Sequence, residues 1–259
     1  MSDPYVTPSK SLKWIRLGAH LGFGLAVVAL LLLAVSPLGW RAGLWHYRIA
    51  FFWLMPCSAY FAIAAIVASV IALGVGRTTL GTRALWMAGI AIVVSAALVY
   101  VPWQYRHTLG SVPRIHDITT DTDNPPVFVA ALPARAAEKA NSTTYEGPEV
   151  ARQQKAAFPD IVPLSVALPQ GDAFNRALEA AKAMPGWKVV ASDPASGRIE
   201  ANDTSRWFRF VDDVVIRVAP EGTGSRIDVR SESRQGRSDF GVNARRVRAY
   251  LEELKARAG

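Results

Sequence analysis

The sequence predicts an α+β protein in which three transmembrane helices precede a two-layer domain, an antiparallel sheet packed against helices. Three observations carry this. Between residues 17 and 105 only Arg41, Arg48, Arg77 and Arg83 are charged, and these two pairs cut the apolar stretch into three. Beyond Pro163, short β-rich runs alternate with Gly-, Pro-, Asn- and Asp-containing turns. Two further segments repeat apolar residues at helical spacing and need a surface on which to bury that stripe.

Residues 17–40, 49–76 and 84–105 contain no Asp, Glu, Lys or Arg. Each run exceeds the roughly 20 apolar residues needed to cross a hydrocarbon core about 30 Å thick. Residues 1–105 are therefore expected to form a membrane anchor. Trp14, Trp40, Trp45, Tyr47, Trp103 and Tyr105 lie near the expected water boundaries, as in an aromatic belt. Gly18 with Gly22, and Ala65 with Ser69, supply small residues four apart for helix contact, while Pro56 and Pro102 are places for a kink or an end. His20 and His46 sit near helix ends, and no ionisable residue lies deep in a span, which favours an anchor or docking surface over a pore. Lys10, Lys13 and Arg16 resemble the basic start of a signal peptide, and Ala34-Val35-Ser36 a cleavage site. The run is too long for a signal peptide, however, and Pro37 follows the cut, so an uncleaved signal anchor is expected.

Lys and Arg total 29 and Asp and Glu 21, for a net charge of +8. From Arg106 onward the counts are 22 and 20, so most of the excess belongs to the anchor and nucleic acid is not an expected partner. Lys10, Lys13, Arg16, Arg77 and Arg83 share one side of the bilayer; Arg41, Arg48, Arg106 and Arg114 share the other. This split, with the basic first flank, predicts a cytoplasmic N-terminus and, in a bacterial inner membrane, a periplasmic C-terminal domain. The one cysteine, Cys57, lies within the second run, so the domain has neither a disulfide nor a thiolate metal site.

Residues 106–160 read as an extended linker with a short helix around Glu149 to Ala157, and residues 161–259 as the α+β domain. A strand is expected from Pro163 to Leu168, then a helix capped at Gly171-Asp172 with Phe174, Ala177, Leu178 and Ala181 as its stripe. Further strands are expected at Trp187 to Ser192, Arg198 to Ala201, Trp207 to Phe210 and Val214 to Val218. Asn202-Asp203 and Asp212-Asp213 are expected turns, and Pro220-Glu221-Gly222-Thr223-Gly224 a hairpin loop. The next strand alternates strictly, with Arg226, Asp228, Arg230, Glu232 and Arg234 on one face and Ile227, Val229, Ser231 and Ser233 on the other. A closing helix carries Phe240, Ala244, Val247, Leu251 and Leu254 on one stripe.

Four stretches carry a resemblance: Arg114-Ile115-His116-Asp117-Ile118-Thr119-Thr120-Asp121, Phe158-Pro159-Asp160-Ile161, Arg209-Phe210-Val211-Asp212-Asp213, and the run from Arg230 through Gly236-Arg237-Ser238-Asp239-Phe240-Gly241 to Arg246. They resemble the bacterial domain of unknown function 1499 family from about residue 112 onward, with the three helices as an N-terminal addition. That resemblance implies domain limits and no activity.

The candidate constellations are few. His116-Asp117 is the one adjacent histidine–carboxylate pair of the domain, but neighbours in an extended chain point apart, so it is not expected to act as a dyad. Asp117, Asp121 and Asp123 form an acidic loop without the glycine and distal Glu of an EF-hand. Gly236-Arg237-Ser238-Asp239-Phe240-Gly241 has the wrong spacing for a nucleophile elbow, and no Walker A or dinucleotide motif occurs, so no cofactor is expected. The Arg226–Arg234 ladder has two readings. It is a solvated face of mutually neutralising charges, or Arg230, Arg234, Arg237, Asp239, Asn243 and Arg246 gather at a helix start to bind an anion or an acidic partner. Asp212 and Asp213 are candidate internal counter-ions, and Arg114, His116 and Asp117 candidate structural or site residues. The leading expectation is a non-enzymatic interaction or assembly factor, with the lipid bilayer and a membrane or periplasmic protein as partners. An anionic-ligand domain, for a lipid headgroup for example, is the alternative, and a hydrolase with an unrecognised site comes third.

Overall fold

A computed structural model describes residues 10–109 and 112–258; Asp3 and the rest of residues 1–9, residues 110 and 111, and the C-terminal Gly259 lie outside it. The chain divides into two compact units, residues 1–107 and 108–259.

The first unit is helical: α1 (Lys10–Arg41), the short α2 (Tyr47–Ile49) continuing through a π-helical turn (Ala50–Leu54) into α3 (Met55–Gly76), and α4 (Thr82–Leu109). Three stretches, Lys13–Arg41, Tyr47–Gly76 and Thr82–Gln104, are long and apolar enough to cross a membrane. Small side chains let these helices approach. A Cβ on Gly22 would fall 2.2 Å from Ser69 Oγ, and one on Gly18 would touch Ala72. Ala19, Ala26 and Ala29 of α1, Ala62, Ala65 and Ala72 of α3, and Ala84, Ala88 and Ala91 of α4 are all buried along the seams. In hydrocarbon no water-exclusion force drives helices together, so close van der Waals contact between alanines and glycines takes its place. Ser58 Oγ donates to the Ala29 carbonyl across the α1–α3 contact at 2.7 Å. The π-helical turn lies directly ahead of Pro56, and α4 runs on through Pro102.

The second unit is α+β. Its elements are β1 (Asp117–Thr119), α5 (Leu132–Ala137), α6 (Pro148–Ala157), β2 (Leu164–Val166), α7 (Gln170–Ala183), β3 (Trp187–Asp193), β4 (Arg198–Thr204), β5 (Val211–Glu221), β6 (Gly224–Ser233) and α8 (Val242–Ala258). All six strands pair antiparallel in the order β1-β6-β5-β4-β3, and β2 joins the other end of β6 on the same side as β1. Gly222-Thr223 closes the β5–β6 hairpin, since Glu221 pairs with Gly224 and Gly222 has φ +59°. One face of the sheet packs on α7 and α8 around Ile199, Val214, Ile216, Val218, Ile227 and Val229, which meet Phe174, Ala177, Val247, Tyr250 and Leu254.

Four expectations change. Residues 106–160 are not merely a linker: within them β1 pairs with β6, and Phe128 and Ala131 bury Val215 on the second face of the sheet. Trp207 to Phe210 is a turn rather than a strand. Ser205 and Phe210 exchange a backbone bond, Ser205 Oγ accepts from the Phe210 N–H, and Arg209 turns with φ +57°. Asn202-Asp203 and Asp212-Asp213 are not turns but paired residues of β4 and β5, and the carboxylates of Asp203, Asp212 and Asp213 have arginine partners. Helix α7 starts after Pro169, with no side-chain cap from Asp172.

Candidate functional site: the charged face and the start of α8

Alternation along β6 places Arg226, Asp228, Arg230 and Glu232, with Arg234 just beyond the strand, on the face away from α7 and α8, and from Asp228 to Arg234 this face is buried. Residues 120–147 lie across it. Arg230 is 2% exposed and Glu232 fully buried. The Arg230 fork grips Asp117 of β1 with two bonds of 2.9 and 2.8 Å; it also donates to Glu232 Oε2 and to the carbonyls of Pro126 and Thr143. Its guanidinium lies over the rings of Phe128 and Tyr145, at 5.1 and 5.8 Å. Arg135 of α5 reaches down to Asp213 (2.8 Å) and Glu232 (2.6 Å) and also holds the Asn141 carbonyl. Arg234 grips Asp213 with two bonds of 2.8 and 2.7 Å and binds Glu138. Lower on the same face, Arg217 and Arg226 share Asp228 and Asp121.

Glu200 of β4 fastens the cover by a different bond. Its carboxylate, fully buried, accepts the backbone N–H groups of Val129, Ala130 and Ala131 at 2.8–3.0 Å, just ahead of α5. Charge-assisted bonds to orphan amides are among the stronger hydrogen bonds, and here they tie an otherwise irregular segment to the sheet. Burial, then the neighbouring Asp117 carboxylate, push Glu232 up to about 8 against the pull of Arg135 and Arg230.

On the opposite face, Asp239 caps α8. Its carboxylate accepts from the N–H groups of Gly241 (2.8 Å) and Asn243 (2.7 Å), and burial raises its pKa. Asn243 donates to the His116 carbonyl and to Ser233 Oγ, and accepts from Ser231 Oγ and Arg246. Arg246 pairs with Asp203 and Asp212, both at 2.8 Å.

The six candidates for an anion site therefore divide in three. Arg230 and Arg234 belong to the covered face, and Asp239, Asn243 and Arg246 to the helix face. Arg237 is exposed and has no side-chain partner among the described residues. Arg114 is likewise exposed, His116 is buried, and its neighbour Asp117 turns to Arg230. Asp212 and Asp213 sit on opposite faces as counter-ions. The loop of Asp121 and Asp123 is met by Arg217, Arg226 and Lys155. No group of three or more metal-ligating side chains occurs among the described residues. The sequence reading missed Arg135, Glu200, Phe128 and Tyr145, because what joins them to the ladder is distance in space, not spacing in the chain.

The four stretches singled out in the sequence meet in this construction, with Phe158 under Arg248 and Asp160 paired to it. The family model described as Protein of unknown function (DUF1499) matches residues 117–254. The chain belongs to the DUF1499 family. The matched region takes in β1, the cover and both faces of the sheet, so the DUF1499 domain includes the segment that looks like a linker; the three apolar helices lie outside it and fit a membrane anchor. No curated protein matches the chain. Among solved structures, the crystal structure of TTHA0849 from Thermus thermophilus is 14% identical over 38% of this chain and 94% of that one, with a TM-score of 0.24.

Proposed function

We propose that this DUF1499 protein is a membrane-anchored interaction or assembly factor of the bacterial cell envelope, with its domain on the periplasmic side and no catalysis of its own. The observation that carries the reading is the use made of the charged residues. Arg135, Arg230, Arg234 and Arg246 each have carboxylate partners within the domain, and they join its layers to one another. A network spent in this way supports a rigid platform for a partner rather than a reaction centre. The side assignment rests on the basic flanks of the helices.

Affinity capture of the full chain from gently solubilised native membranes, with quantitative mass spectrometry, tests the role. A protein partner recovered in near-equimolar amount supports an assembly factor, whereas recovery of the chain with lipid alone argues against it. A C-terminal reporter active only in the periplasm tests the orientation, and a well-expressed but silent fusion contradicts it. The second reading, a domain for an anionic lipid headgroup, is favoured by Arg114 and Arg237, which are exposed and unpaired among the described residues.

A further inference from the structure

One end of the sheet gathers several features that the ion networks leave out. The register runs Asp117–Glu232–Asp213–Asn202 across β1, β6, β5 and β4. Beyond that row, Ser233 N–H donates to the His116 carbonyl, Asp239 N–H to Ile115 and Arg234 N–H to Val211. The chain's entry into the domain (residues 112–116), the β4–β5 turn (205–210) and the loop before α8 (235–239) therefore share one end. At that end Trp207 is 74% exposed at the tip of the turn. Arg206 and Arg209 flank it, and Arg114 and Arg237 stand on the neighbouring segments; all four are exposed and have no side-chain ion pair among the described residues. The nearby carboxylate of Glu138 is already taken by Arg234.

The turn is built to hold this shape. Ser205 closes it through its backbone and its Oγ, Phe208 and Phe210 stack at 5.2 Å, and Arg209 adopts the left-handed region, where a side chain other than Gly, Asn or Asp is disfavoured. An exposed indole between guanidiniums fits the headgroup layer of an anionic bilayer: the ring takes the interfacial depth and the arginines take phosphates. In the sequence α4 ends at Leu109 and β1 begins at Asp117, so a bilayer holding α4 is tethered close to the domain at high effective concentration and a weak contact suffices.

We infer that the Arg206-Trp207-Phe208-Arg209-Phe210 turn, with Arg114 and Arg237, is a contact for the surface of an anionic lipid bilayer. The inference rests on the membrane-anchoring reading. The test uses full-length protein carrying Cys57→Ala and Trp207→Cys, labelled with an environment-sensitive fluorophore and reconstituted into nanodiscs of phosphatidylcholine with or without phosphatidylglycerol. The same probe at Thr223→Cys reports the far end of the sheet, about 35 Å away along β5.

A blue-shifted emission quenched by headgroup-spin-labelled lipid, seen at 207 only and strengthened by phosphatidylglycerol, is expected. Arg206→Gln with Arg209→Asn, the latter chosen to tolerate positive φ, should lower the docked-to-free ratio by roughly fivefold for each arginine. Equal, water-like emission at 207 and 223 in anionic discs that do contain the protein overturns the contact and leaves the anchor standing. So does a shift produced by inorganic phosphate in phosphatidylcholine discs alone. Failure of the chain to enter the discs at all removes both readings.

Discussion

Around the middle of β6 both faces of the domain's sheet are buried, and they are held by opposite means. Strand β6 serves both: Ile227 and Val229 face α7 and α8 in an apolar core, while Arg230 and Glu232 face the cover and are just as inaccessible. On the helix side, removal of apolar surface from water drives packing without direction. On the other side each arginine fixes a particular carboxylate or carbonyl, so the gain is in register and uniqueness more than in net free energy. Alternation in a sequence thus says which residues share a face, and not whether that face is wet.

Breaking the charged face should have the largest effect. Arg230→Ala leaves Asp117 buried without a partner and Glu232 with Arg135 alone, and unfolding by denaturant should show a loss of about 3–5 kcal/mol. Arg237→Ala, which removes an exposed side chain from the same sequence run, should stay within about 1 kcal/mol. Equal losses in the two variants would erase the distinction between scaffold and surface.

The sign of the pH dependence comes next. The folded pKa of Glu232 lies above its ordinary value of 4.5, at about 8, so in this window the native state keeps a proton that the unfolded chain has released. Its contribution to stability therefore falls as pH rises from about 4.5 to about 8, and Glu232→Gln, which cannot ionise, should flatten that part of the profile. Melts at several pH values compare the two; a wild-type and variant with parallel profiles would show Glu232 ionised throughout.

Smaller effects sharpen the comparison from the other face. Ile227→Val trims one methylene from the apolar core and should cost about 0.5–1.5 kcal/mol with no change in pH profile. Arg152→Ala breaks an exposed pair with Glu149 and should leave the denaturant midpoint essentially that of the wild type.

Much of the architecture was legible because it follows from periodicity and length. The three apolar helices follow from bilayer thickness, α7 and α8 from their 3.6-residue stripes, and β6 from its strict alternation. The turn at 205–210 looked like a strand because Trp207, Phe208 and Phe210 favour strands locally; the Ser205 bonds and the left-handed Arg209 override that preference. Asp203 and Asp212 looked like turn residues until Arg246, far away in the chain, claimed them. Residues 120–147 carried little periodicity, since what holds them is a set of bonds from sheet side chains to their backbone and to Arg135, together with Phe128 and Ala131 on Val215. The candidate site was legible as a list of arginines but not as an arrangement, because their partners lie up to 113 positions away.

The cover is part of the fold, and backbone amide exchange at Val129, Ala130 and Ala131 tests that most directly. Val129 and Ala130 have exposed side chains, yet their N–H groups end on the buried carboxylate of Glu200. The expected result is protection at these three amides comparable to that of β6, lost at all three in Glu200→Ala. Exchange at the rate of an unstructured loop in the wild-type protein would contradict it.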